Sequence, residues 1–146
     1  MEKIPIGSWL EVARGGRAAI LAVGTMLSAG REAVALLAGR GIEAGLVNCR
    51  FVKPLDGEML KDLASRYELL VTLEEGTIRG GFGTGVYECL NEMGVDLPRL
   101  IHLGLPDRFI EHGSRKALFE SIGLSPAQIA DRIGSTLGAR SVAAAG

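Results

Sequence analysis

Four short apolar runs, each followed by a turn or capping signal and then a helical pattern, leave this chain few architectures to choose from. They are Ala18–Val23, Ile42–Asn48, Leu69–Leu73 and Arg99–Leu103. Continuous apolarity without alternation suits strands whose sheet is covered by helices on both faces. Strand and helix in succession predict an α/β domain with a mainly parallel sheet. Between the runs, Ser28 is the expected cap of a helix to about Arg40, with Ala33, Leu36, Leu37 and Ala38 as its apolar stripe. Asp56 is the expected N-cap of a second helix to about Arg66, and Thr84–Met93 is a third, stopped by Gly94. Two helices close the chain, one capped by Ser114 and ending at Gly123, the other starting at Ser125-Pro126. Ile129, Ala130 and Ile133 give the last helix a docking face, whereas ARSVAAAG after Gly138 has neither periodicity nor anchors. The expectation is a single domain over residues 1–137 and a disordered tail over 138–146.

Trp9–Ala13 also has strand character. Gly15-Gly16 after it is a hairpin-type turn signal, and a turn that short cannot hold a parallel crossover. The first strand is therefore expected to run antiparallel to the others.

Composition narrows the partners. With a formal net charge of −1, the chain has no electrostatic reason to bind nucleic acid or an anionic membrane. Aromatic residues, at 5%, are too few for a base-stacking platform. Cys49 and Cys89 lack metal-ligand or CxxC spacing and read as small hydrophobes. The first ten residues lack a signal-peptide pattern, and no run is long enough for a membrane-spanning helix, so a cytoplasmic location is expected.

The stretch LLVTLEEGTIRGGFGTGVYECLNE, Leu69 to Glu92, carries the strongest local signal. A strand ends in Glu74 and Glu75, a glycine-rich loop holds Gly76, Gly80, Gly81 and Gly83, and a helix starts near Thr84. Free N–H groups there suit a phosphate or carboxylate. The spacing is neither G-x-G-x-x-G nor a P-loop, so a tight turn or packing contact outweighs nucleotide binding. Adjacent residues on a strand face opposite ways, so Glu74 and Glu75 cannot act as a pair without a bend between them. Backbone amides of the loop, or Arg79, are the expected partners of one of them. Gly24-Thr25 follows the first parallel strand, where doubly wound folds often place a ligand. The densest polar set is Asp107, Arg108, Glu111 and His112, with no nucleophile at useful spacing. An interface role suits it better than catalysis. His102 reads as a sheet residue.

Taken together, several segments resemble the C-terminal domain of the 1-deoxy-D-xylulose-5-phosphate synthases, thiamine-diphosphate enzymes of the transketolase family. They are Ile4-Pro-Ile-Gly7, Val47-Asn-Cys-Arg-Phe-Val-Lys-Pro-Leu-Asp56, Leu70-Val-Thr-Leu-Glu-Glu75 with Gly80-Gly-Phe-Gly83, and Gly104-Leu-Pro-Asp-Arg-Phe-Ile-Glu-His-Gly113. The last segment points to the synthases in particular; the middle ones are shared with pyruvate dehydrogenase β subunits. The resemblance implies a three-layer α/β/α domain with a five-stranded mixed sheet. Its antiparallel first strand would lie at a sheet edge, beside a neighbour other than the second strand.

The resemblance further implies that thiamine diphosphate and Mg²⁺ belong to domains outside this sequence, and that no catalytic, cofactor or metal residue of the family maps onto it. The full enzyme would condense pyruvate with glyceraldehyde 3-phosphate, releasing CO₂, for isoprenoid, thiamine and pyridoxal synthesis. This domain would be inactive alone and would support the fold and a homodimer, with the cofactor domains of the same polypeptide as its partners. Met1-Glu2-Lys3, just before the domain's usual beginning, suits a fragment. Gly24, Thr25, Glu74, Glu75, Gly80, Gly81, Gly83, Thr84, Asp107, Arg108 and His112 form the candidate interdomain or anion-contact surface. Two alternatives stand beside this expectation. One is a free-standing regulatory module binding an anion or nucleotide at residues 24–26 or 80–84. The other is a subunit of a split thiamine-diphosphate enzyme, such as a pyruvate dehydrogenase β-like protein.

Overall fold

The computed structural model describes residues 4–77, 81–105 and 115–145. In chain order the elements are β1 (Leu10–Ala13), β2 (Ala18–Ala22), α1 (Met26–Gly39), β3 (Ala44–Asn48), α2 (Gly57–Arg66) and β4 (Leu69–Thr77). There follow α3 (Phe82–Met93), β5 (Arg99–Leu105), α4 (Arg115–Ser121) and α5 (Pro126–Ala145). One five-stranded sheet has the order β1-β3-β2-β4-β5, parallel except for β1.

The unbroken apolar runs become strands covered on both sides. On one face Ile20, Leu46, Leu69, Val71 and Leu73 pack with Met26, Ala33 and Leu37 of α1 and Ile129, Ala130 and Ile133 of α5. On the other, Leu21, Val47 and Leu70 meet Leu60 and Leu63 of α2 and Phe82, Val86 and Leu90 of α3. Each fully buried aliphatic side chain contributes about 1.5–3 kcal/mol of transfer free energy, so the sandwich needs no staple. Cys49 lies in this second layer with Cys89 packed against it, and both are free thiols. Burial pushes both thiols up, Asp56 adding to the shift at Cys49 and Glu92 at Cys89.

The antiparallel first strand stands at the sheet edge, but Gly15-Gly16 does not fold it onto β2. Leu10 and Glu11 pair with Asn48 and Val47 of β3. Both edges of β2 are already taken, by β3 and β4 in parallel. At Gly15 the chain crosses the start of β3 so closely that a Cβ would sit 2.2 Å from the Gly45 nitrogen. Glycine serves close approach here, not a hairpin.

Helix boundaries differ in instructive ways. Asp56 caps α2 as expected, its Oδ1 accepting from the Met59 N–H at 3.0 Å. Ser28 is inside α1; Thr25 holds the N-cap position and makes no side-chain cap bond. At α5, Ser125 Oγ accepts from the Gln128 N–H, while Gln128 Oε1 accepts from the Ser125 N–H, a reciprocal capping box. The backbone of α5 is helical through Ala145, across the segment expected to be a disordered tail. Helix propagation adds one hydrogen bond per residue once a turn is docked, and alanine opposes it least.

Candidate functional site

Chain order turns around between β2 and β4. From β2 the chain passes through α1 on one face to β3; from β4 it passes through α3 on the other face to β5. Adjacent strands whose connections leave in opposite directions open a crevice at their carboxyl ends. A cleft of about 640 Å³ lies at that point, lined among others by Thr25, Lys53, Leu55, Glu74, Phe82 and Glu88.

Glu74 sets its geometry. The residue is only 6% exposed, yet its two carboxylate oxygens accept from the Phe82 and Gly83 N–H groups, each at 2.9 Å. Those N–H groups open α3, whose N-cap is Gly81 and makes no side-chain cap of its own. A helix N-terminus carries partial positive charge and orphan donors, so a carboxylate is well held there. Glu75 lines the same cleft and accepts from Thr25 Oγ1 at 2.6 Å, linking the ends of β2 and β4. The pairing of β4 with β5 slips between Leu73 and Thr77, and this irregularity is where the strand releases the two carboxylates into one cleft. They remain separately engaged.

Beneath the first turn of α3, Thr72 Oγ1 and His102 Nδ1 are 2.8 Å apart. Burial lowers the His102 pKa from its ordinary value of 6.5, with the charge of Glu74 opposing. A Cβ on Gly83 would lie 2.4 Å from His102 Nδ1 and 2.7 Å from Thr72 Oγ1. Gly83 therefore belongs to helix-on-sheet packing, and it is not part of the cleft wall. Gly24, by contrast, has φ +58° and turns the chain from β2 towards α1 with open space around it.

Among the expected contact residues, Gly24, Thr25, Glu74, Glu75, Gly81 and Thr84 meet at this cleft. Gly80, Asp107, Arg108 and His112 lie outside the described residues, as do Arg79, Glu111 and Ser114. Phe82, Lys53, Leu55 and Glu88 also line the cleft and stand outside the expected contact set. The loop after β3 reaches the cleft only because β3 neighbours β2, a pairing that local sequence does not encode.

The donor chemistry of the described wall does not fit a thiamine diphosphate. Among the described residues Glu74, Glu75 and Glu88 face one lysine, Lys53, and the α3 N–H groups that suit a phosphate already hold Glu74. A diphosphate would meet like charge in place of donors.

Residues 7–129 match the family model described as transketolase, C-terminal domain. The chain belongs to this family. As a transketolase C-terminal domain it is 46% identical over 123 residues to the 1-deoxy-D-xylulose-5-phosphate synthase of Aquifex aeolicus, an alignment covering 84% of this chain and 19% of that one. The synthase of Bacillus cereus (strain AH187) is 44% identical over 133 residues, covering 91% and 21% respectively. The chain thus spans about a fifth of the length of the curated relatives it matches. Among solved structures, "Split gene transketolase, inactive beta4 tetramer" superposes with a TM-score of 0.82 at 30% identity, over 94% of this chain and 43% of that one. A transketolase from Pichia stipitis gives 0.67 at 18% identity, over 90% of this chain and 18% of its own, which supports the fold alone. The five-stranded mixed sheet with an antiparallel edge is thus the transketolase C-terminal arrangement.

Proposed function

We propose that this chain is the C-terminal domain of a 1-deoxy-D-xylulose-5-phosphate synthase and carries no catalytic group of its own. The observation behind this reading is the 46% identity to such a synthase across most of this chain but only 19% of the relative. The domain's part is mechanical: it completes the fold and supports a homodimer. Thiamine diphosphate and Mg²⁺ sit on the remainder of the polypeptide, where they supply the carbanion chemistry that joins pyruvate to glyceraldehyde 3-phosphate with loss of CO₂. The switch-point cleft agrees with such a role, since Glu74 is spent on the α3 N-terminus and Glu75 on Thr25.

A second reading has one observation in its favour, the 0.82 superposition on a split-gene transketolase chain. There the domain would sit on a shorter subunit that joins a separate cofactor-binding chain. Immunoblotting native extract with antibody against this domain separates the two. A band several times heavier than 15.4 kDa, active with pyruvate and glyceraldehyde 3-phosphate after purification, is the expected result. A shorter chain that gains this activity only with a second polypeptide would replace the first reading by the second. A band at 15.4 kDa that gains no activity with any second polypeptide would end both.

A further inference from the structure

The first described residues, Ile4 to Ser8, have no regular secondary structure beyond a turn, yet the segment is pinned. Ser8 Oγ and N–H both donate to the Pro5 carbonyl, at 2.7 and 3.1 Å. Arg50 donates to the Ser8 carbonyl at 3.2 Å and to Ser8 Oγ at 3.0 Å. The next residue is held twice more: the Trp9 N–H donates to Asp56 Oδ2, and its indole N–H to the Phe51 carbonyl, both at 2.9 Å. All three anchors, Arg50, Phe51 and Asp56, belong to the loop between β3 and α2. So the segment rides on a fixed part of the fold.

What it presents is apolar. Ile6 is 84% exposed and Ile4 55%, and Val52 of the same anchoring loop is exposed as well. Leu10 at the start of β1 pairs with Asn48 at the end of β3, so the segment before it enters at the carboxyl-end side of the sheet, the side on which Val52 lines the switch-point cleft. Four hydrogen bonds tie Ser8 and Trp9 to that loop, and isoleucines held in water beside them gain nothing for this domain, whereas burying them elsewhere does.

We infer that Ile4, Ile6 and Val52 form the seat for the preceding part of the same polypeptide, an apolar face of the neighbouring domain. This rests on the reading above, in which about four-fifths of the relative's length lies outside this chain and this domain is the C-terminal one. The preceding chain therefore arrives at Ile4, and the first surface it meets is this one. The hydrogen bonds from Arg50 and Asp56 fix the angle of arrival, and the isoleucines supply the apolar contact.

Hydroxyl-radical footprinting of the polypeptide purified from native cells tests this. Leu36 and Leu97, 42% and 43% exposed and placed on α1 and after α3, serve as internal standards. Free exposure would make Ile6 the most reactive of the four side chains. Docking predicts the reverse, with Ile4 and Ile6 labelled several-fold less than Leu36 and Leu97. Ile6→Asp should release that protection and lower the melting temperature of the full polypeptide, while Leu97→Asp should do neither. An Ile6 as reactive as its exposure here dictates, in a polypeptide heavier than this domain, would overturn the docking inference and leave the proposed function standing. Protection through an Ile6→Cys cross-link to Ile6→Cys of a second copy would overturn it too. A native chain of 15.4 kDa would instead remove the reading on which it rests.

Discussion

Glu74 and Gly83 are locked together across the loop between β4 and α3, the carboxylate accepting from the glycine N–H at 2.9 Å in a buried setting. The other oxygen accepts from Phe82 in the same way, so one side chain satisfies two of the four orphan donors of α3. Glu74→Ala strands both N–H groups away from water and should cost about 2–4 kcal/mol, read from urea midpoints. Glu74→Gln keeps acceptor capacity on one atom only and should cost less than half of that. Equal losses for the two variants would show that one retained acceptor and the side chain's bulk contribute nothing without the charge and the second acceptor oxygen.

Inorganic phosphate at millimolar concentration should leave the melting temperature unchanged. The α3 N–H groups that would hold it are occupied by Glu74, and the cleft is rimmed by Glu75 and Glu88. A ligand at a hundred times its Kd would add about 2.7 kcal/mol, which a thermal scan reads easily. Such a shift would revive the anion-binding alternative.

Gly83→Ala should destabilise although alanine is the better helix former. The propensity gain is about 1 kcal/mol. Against it stands a methyl 2.4 Å from His102 Nδ1 and 2.7 Å from Thr72 Oγ1, and overpacking of this kind costs about 1–3 kcal/mol. Combining it with His102→Ala should recover part of the loss, and a double-mutant cycle measures the coupling. Strict additivity would show that the ring is not what the methyl strikes.

The fold was legible wherever one residue type had one job. Unbroken apolar runs placed β2, β3, β4 and β5, Asp56 marked its helix, and Ser125-Pro126 marked α5. Pairing was not legible from the runs, since Gly15-Gly16 fits a hairpin locally and only the occupied edges of β2 forbid it. The cleft shared this fate. Glu74 and the loop amides were visible as partners, but Lys53 and Leu55 reach the site through strand order, which no local pattern carries.

Acid should cost stability through His102. Its folded pKa lies below the ordinary 6.5, so between the two values the unfolded chain binds more protons. The contribution is therefore complete above the ordinary value and is lost as pH falls through the folded one. Stability curves for the native chain and His102→Asn should converge on acidification below about pH 6.5. Parallel curves would assign the acid sensitivity elsewhere.

Asp56→Ala should loosen two elements at once. Oδ1 accepts from Met59 at the start of α2, and Oδ2 accepts from the Trp9 N–H. A loss of about 1–3 kcal/mol is expected. Trp9 is the sole tryptophan, so its emission should shift to the red if its backbone tether matters. A destabilised variant with unchanged emission would confine the effect to α2.

The placement of β1 has a consequence in time. It is made before any other strand, yet its partner residues, Leu46 to Asn48, come only after β2 and α1 have been synthesised. The carboxylate that tethers Trp9 comes later still, at Asp56. Whatever precedes this domain on the ribosome therefore stays on a loose leash until the third strand and the helix start behind it have emerged. The leash is drawn in by residues that the ribosome delivers some forty positions later, while the other half of the domain is still to come.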